Sequence, residues 1–134
     1  MKQKRTLTLA GFSLALLAFA VLAQQVATKD EVLGDLQAAA RGWEMIEQGA
    51  LLIDVRSQEE YSAGHIEGSA NIPHTEVDQI RALIGEDLSR PVVLYCRSGG
   101  RAGRVMSSLE DQGYTALFNA TGWEALEATR PPSK

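Results

Sequence analysis

Two short runs, Leu51-Leu52-Ile53-Asp54-Val55 and Val92-Val93-Leu94-Tyr95, are apolar almost throughout and lack the polar alternation of a sheet with one wet face. Strands of this kind are covered on both sides, the habit of parallel sheets flanked by helices. Ala70-Asn71-Ile72 and Ala116-Leu117-Phe118 are weaker strand candidates. Helical stretches separate these runs, and that alternation favours an open parallel α/β sheet over a bundle or a sandwich. In such sheets, ligands bind beyond the carboxyl ends of the strands. Asp54 lies near the end of the first strong strand and Cys96 directly follows the second, so both are expected at one edge.

The helix starts share a local chemistry. Thr28-Lys29-Asp30-Glu31, Ser57-Gln58-Glu59-Glu60 and Thr121-Gly122-Trp123-Glu124 match a capping box, and Thr75-Glu76-Val77-Asp78 is a close variant. In each, the hydroxyl accepts from a free backbone amide while the acid three residues on reaches back. Val32, Leu36, Ala39, Trp43 and Ile46 recur at helical spacing as one apolar stripe, and Gly49 closes that helix. Val77, Ile80 and Leu83 or Ile84 give a middle helix its apolar face. No repeat and no second-domain linker is present.

The N-terminus reads as an address. Lys2, Lys4 and Arg5 precede an apolar or small run, Leu7 to Ala23, that ends in Val21-Leu22-Ala23. This is the pattern of a secretory signal cleaved after Ala23, with an uncleaved membrane anchor as the alternative. The expected domains are therefore residues 1–23 as signal and 24–134 as one folded unit. The expected location is the periplasm, or the inner membrane with the domain facing the periplasm. If the signal is cleaved, no stable membrane contact is expected.

Removing the signal takes three of the 13 basic residues and none of the 17 acidic ones, so the charge moves from −4 to −7. An acidic domain with few basic clusters argues against nucleic-acid binding through a broad cationic face. The one cysteine, Cys96, excludes an internal disulfide and a cysteine-cluster metal site, and two histidines add little toward a zinc centre. No metal, no organic cofactor and a monomer are expected. A lone thiol in an oxidising compartment is either an inert small hydrophobe or important.

Its neighbours favour importance. The strand is followed by Cys96-Arg97-Ser98-Gly99-Gly100-Arg101 and then by a helix expected from Ala102 through Gln112, stopped at Gly113. Unlike the capping-box starts, this helix has no acid in its first turn, which leaves its amides open to an anion. Gly99 and Gly100 can take positive φ and curl successive amides into a nest. A helix N-terminus and nearby guanidinium groups also favour the thiolate form of a cysteine. No histidine adjoins Cys96, so these fixed positive groups are the natural activators, and a covalent intermediate on sulfur with a small anionic substrate is expected. That chemistry requires a sulfur that solvent can reach.

At this point the chain resembles the single-domain rhodaneses (thiosulfate sulfurtransferases). LLIDVRSQEEYSAGHIEGSANIP, residues 51–73, and VVLYCRSGGRAGRVMSSLEDQGY, residues 92–114, carry the resemblance together with FNATGWEAL. It implies a parallel sheet of about five strands flanked by helices. It implies that Cys96 takes a sulfane sulfur from a thiosulfate-like donor, becomes a persulfide, and passes the sulfur to cyanide or a thiol. The amides of Arg97, Ser98, Gly99, Gly100 and Arg101 would hold the anion, helped by the Arg97 or Arg101 side chain. Asp54 and Arg56 occupy the family's Asp-Val-Arg motif, with an architectural role as a charge pair near the loop. His65, in Gly64-His65-Ile66-Glu67-Gly68, is expected to organise a turn. Tyr61, Trp43 and Trp123 read as core or rim aromatics.

Two rivals remain. A rhodanese-fold phosphatase or arsenate reductase also sets a cysteine and an arginine in an anion cradle, but with the spacing Cys-x5-Arg; here Cys96 and Arg101 give Cys-x4-Arg, suited to a smaller substrate. The other is a sulfur-carrier or regulatory module without turnover. Asn119-Ala120-Thr121 additionally matches a glycosylation triplet.

Overall fold

The computed structural model describes the backbone of residues 10–133 and the side chains of residues 29–133. The basic segment Lys2 to Arg5 lies outside the described residues. The chain divides into two units, residues 1–33 and 34–134. In the first, the described residues are helical, part of a continuous helix α1 (Ala10–Glu47). Thr28, expected as a cap, therefore sits inside a helix, because no glycine or proline from Phe12 to Leu33 interrupts it. Among the described residues, no helix is long and apolar enough to cross a membrane.

The second unit holds the alternating pattern. After α1 come β1 (Leu51–Asp54), α2 (Gln58–Ala63), β2 (Ala70–Asn71), α3 (Val77–Ile84), β3 (Val92–Cys96), α4 (Gly100–Glu110), β4 (Leu117–Gly122) and α5 (Trp123–Ala128). The strands form one parallel sheet in the order β2-β1-β3-β4. The described residues thus give four strands rather than about five. Residues 29–47 are helical throughout and β2 is only two residues long, so no further extended segment is available at either edge.

Side-chain alternation along β3 explains the two cores. Val92, Leu94 and Cys96 point to one face, among Ile80 and Ile84 of α3 and Ala102, Val105 and Leu109 of α4. Val93 and Tyr95 point to the other, with Ala39 of α1 and Leu126 of α5. A strand with period two and both faces covered leaves no position for a polar residue, hence five consecutive buried side chains. The expected stripe on α1 holds where the helix meets this sheet: Ala39 is buried and Trp43 and Ile46 pack beside it. Val32 is 52 % exposed and takes no part in it. Gly42, which the stripe did not include, is the closest approach; a Cβ there would fall 2.8 Å from Ala120 Cβ.

Of the four expected capping boxes, one forms. Ser57 Oγ accepts from the Glu60 amide at 3.2 Å and Glu60 Oε2 accepts from the Ser57 amide at 3.1 Å. Glu76 rather than Thr75 caps α3, and Gly122 rather than Thr121 caps α5, both without a side-chain bond. Thr121 cannot serve because its φ of +65° turns it away from the extended geometry a cap needs; its hydroxyl donates instead to the Asp35 carbonyl at 3.4 Å.

Candidate active site

The parallel register sets Asp54 opposite Tyr95, which places Asp54 and Cys96 at the same carboxyl edge. Asp54 is fully buried and Arg56 is 4 % exposed. The guanidinium Nη2 donates to Asp54 Oδ2 at 2.6 Å, Nε donates to both carboxylate oxygens at 3.0 Å, and Nη2 also reaches the Gly64 carbonyl at 2.7 Å. Burial opposes the Arg56 charge, but the Asp54 bonds and field outweigh it and raise its pKa. Asn71 Nδ2 ties the carbonyls of Asp54 and Arg56 to β2. Nε and Nη2 of Arg56 are thus committed to the brace, and Nη1 has no hydrogen-bond partner among the described residues.

Tyr95 continues the brace on the other face. Its hydroxyl accepts from the Ile66 amide at 3.0 Å and pairs with Ser69 Oγ at 3.1 Å. Burial pushes its pKa up, so it stays protonated and pins the Gly64–Gly68 turn to the sheet. His65 stacks on Tyr61 at 3.7 Å and bonds the Tyr61 carbonyl through Nδ1 at 2.9 Å, which holds its ring against that turn.

The chain then leaves the sheet at Cys96. Gly99 adopts φ +91° and donates its amide to Cys96 Sγ at 3.1 Å. Helix α4 begins at Gly100, two residues earlier than expected, so only Gly99 of the glycine pair has positive φ. The start of α4 carries no acid and no side-chain cap, leaving first-turn amides without intrahelical acceptors beside the sulfur. Arg97, Ser98 and Gly100 are exposed and Arg101 is half-buried.

Two features depart from expectation, and a third bears on the glycosylation triplet. Cys96 is 1 % exposed, packed against Ala102 and Val105, so the sulfur is not open to solvent. The loop residues on either side of buried Gly99 are themselves exposed. Arg101, next, does not stand free in the loop: its guanidinium meets Glu60 of α2, Nη1 to Oε2 at 2.7 Å and Nη2 to Oε1 at 2.9 Å. Its pKa rises chiefly through those bonds, with smaller contributions from Cys96. Finally, Asn119 is not a free glycosylation acceptor. Its Nδ2 donates to the Gly99 carbonyl at 3.0 Å and its Oδ1 accepts from the Thr121 amide at 3.0 Å, clamping the loop to β4.

Gly122 completes that clamp, since a Cβ there would lie 2.5 Å from the Arg97 carbonyl oxygen. In the sequence, Glu60 and Gly122 stand only within capping-box motifs and Asn119 only within a glycosylation triplet. None carries a spacing relation to Cys96 that would have marked it.

The family model of the Rhodanese-like domain matches residues 38–129. This chain belongs to the rhodanese family. Among curated relatives, the thiosulfate sulfurtransferase GlpE of Pseudomonas fluorescens is 34 % identical over 66 % of this chain and 79 % of its own. The thiosulfate sulfurtransferase PspE of Escherichia coli is 39 % identical over 52 % of this chain and 67 % of its own. The uncharacterised protein YqhL of Bacillus subtilis is 41 % identical over 54 % of this chain and 56 % of its own. Among solved structures, a rhodanese with anions from E. coli superposes with a TM-score of 0.54 at 35 % identity, covering 57 % of this chain and 91 % of that one. The human single-domain sulfurtransferase TSTD1 gives 0.55 at 28 % identity, over 66 % and 90 %. In this rhodanese domain, the Cys96 loop, the brace under it and the clamp behind it occupy one sheet edge.

Proposed function

We propose that this rhodanese is a sulfurtransferase that carries sulfur as a persulfide on Cys96. The observation that supports it best is the Gly99 amide donating to Cys96 Sγ at the acid-free start of α4. That arrangement favours negative charge on sulfur and at the loop above it. The Cys96 thiolate attacks the outer sulfur of thiosulfate; a sulfur–sulfur bond forms on Cys96 and the thiosulfate bond breaks, its electron pair leaving with sulfite. An acceptor thiolate or cyanide then attacks the outer sulfur, and the pair returns to Cys96 Sγ. The charges balance at each step without an oxidant, a metal or a cofactor. Because the sulfur is covered, the donor reaches it through a local opening of the loop between its two tethered ends, and the loop amides hold the anion once it is in.

The phosphatase reading is weakened by Arg101. An arginine that grips a phosphate needs its fork free, whereas this one is held by Glu60 on both nitrogens. Residues 1–23 serve in this proposal as an export signal, placing the domain in the periplasm.

Intact mass spectrometry of the purified domain before and after thiosulfate tests the proposal. A gain of one sulfur atom, mapped to Cys96, reversed by cyanide and missing in Cys96→Ser, is expected. An unchanged mass, or sulfur that survives the substitution, would overturn it. Sulfur that loads once but never turns over would favour the carrier role instead.

A further inference from the structure

A cavity of about 260 Å³ opens beside the loop, with Arg97, the residue after Cys96, in its wall. Its walls are formed by Ala63, Gly64 and the Trp123 ring, which packs so closely on Gly64 that a Cβ there would sit 3.0 Å from it. The indole N–H of Trp123 is buried without an acceptor. The volume lies just under the range of about 300–1,000 Å³ that holds drug-sized ligands, so it suits something the size of an amino acid.

The charges around it sort into two kinds. Arg56 is neutralised by Asp54 and Glu60 by Arg101, so neither has charge to offer. Arg97 and Glu124 also line the cavity, both are exposed, and neither makes an ion pair among the described residues. One free cation and one free anion therefore flank an apolar wall, and the cation belongs to the loop that carries the nucleophile. A ligand with a single charge satisfies one and leaves the other idle; a zwitterion satisfies both.

We propose that this cavity is the acceptor subsite and that it takes a small zwitterionic thiol, its carboxylate against Arg97, its ammonium against Glu124 and its thiol-bearing stem along Trp123. The inference rests on the sulfurtransferase reading above. The acceptor thiolate attacks the outer sulfur of the Cys96 persulfide, the bond to Cys96 Sγ breaks, Sγ keeps the electron pair, and the acceptor leaves as a persulfide. Cyanide carries neither matching group and has no use for Glu124.

The test loads the full chain with thiosulfate, removes excess donor and follows loss of the extra sulfur by mass spectrometry. The acceptors are L-cysteine, cysteamine (no carboxylate), 3-mercaptopropionate (no ammonium) and cyanide, with thiol rates compared at equal thiolate concentration. Cysteine should outrun each truncated thiol by about fivefold, the worth of one exposed ion pair. Glu124→Gln should remove the advantage of cysteine over 3-mercaptopropionate and leave the thiosulfate:cyanide rate unchanged. Equal rates for the three thiols, or a Glu124→Gln variant that slows cyanide as much as cysteine, would overturn the subsite. A protein that takes no sulfur from thiosulfate would fail at the earlier reading and bring this one down with it; a loaded protein that treats all thiols alike would fail at this one alone.

Discussion

Glu60 and Arg101, 41 positions apart, meet fork to fork at 2.7 and 2.9 Å, and the oxygen of Glu60 nearer Arg101 also accepts the Ser57 amide. One carboxylate therefore closes the cap of α2 and holds the last residue of the cysteine loop. The side chains are 33 % and 23 % exposed, so the pair is shielded without being sealed. The loop gains a fixed far end, while its near end is fixed by the sheet at Cys96.

The charge on Glu60 should be visible in acid. Its pKa falls from 4.5 to about 2, first through the Arg101 bonds. A carboxylate whose folded pKa is depressed adds stability that is present above its unfolded value and is lost as pH falls through the folded one. Glu60→Gln should then cost about 0.5–1 kcal/mol at pH 7, and its difference from the parent should shrink from about pH 4.5 toward pH 2. Urea midpoints at pH 7, 4 and 3 check this. A difference constant across that range would assign the loss to shape rather than charge.

Arg101→Ala should separate binding from turnover. The guanidinium lies close enough to Cys96 for the sulfur to contribute to its own pKa rise. Its removal leaves the Glu60 carboxylate without its partner near the path of a dianionic donor, while the amides of the loop remain. The thiosulfate KM should rise about fivefold, with kcat changed less than about twofold. An unchanged thiosulfate dependence would remove the side chain from the site.

A sulfur that is 1 % exposed should discriminate by size. The rate of iodoacetamide relative to that of a bulky aromatic disulfide reagent should be about tenfold larger for native Cys96 than for the urea-unfolded chain, because small local openings are far more frequent than large ones. Equal ratios in the two states would mean that the sulfur is reached only by global unfolding.

What could be read from the residues was what depends on local pattern. The buried runs at Leu51 and Val92, the cap at Ser57 and the acid-free start after Cys96 are each written within a few positions, and each appears in the fold. Thr28 and Thr121 failed because a cap motif specifies a local preference, while the surrounding chain decides: Thr28 has good helix formers on both sides, and Thr121 is turned by its tie to Asp35 and Asn119. The grip of Glu60 on Arg101 and the clamp of Asn119 on Gly99 join separate elements, so no periodicity announces them. The burial of Cys96 followed from its place in the β3 alternation, where every second residue faces α4.

The Asp54–Arg56 brace predicts a large and partly reversible loss. Removing one charge leaves the other buried without a partner, which costs about 3–5 kcal/mol. Asp54→Asn should approach that range in urea unfolding, since Arg56 is 4 % exposed and has few other acceptors. The double variant Asp54→Asn with Arg56→Met should recover part of the stability by removing the orphaned cation. A double variant worse than the sum of the two single changes would show that the pair does more than brace.

Gly122→Ala tests whether β4 shapes the loop. The added methyl would meet a backbone carbonyl, that of Arg97, at 2.5 Å, with Ser98 Cα next at 3.6 Å. Backbone cannot swing aside as a side-chain tip can, so the strain must move Arg97 and Ser98 away from β4 or shift β4 itself. Overpacking of this kind costs about 1–3 kcal/mol. Here it should also lower kcat/KM for thiosulfate, because the displaced residues carry the anion-holding amides. Gly34→Ala is the matched control: it lies in α1 with nothing within 4 Å of the added methyl, and should raise stability by about 0.5–1 kcal/mol without altering turnover. If Gly122→Ala lost stability but kept full kcat/KM, the loop would hold its shape independently of β4, and the clamp through Asn119 would be support for the fold rather than for the site.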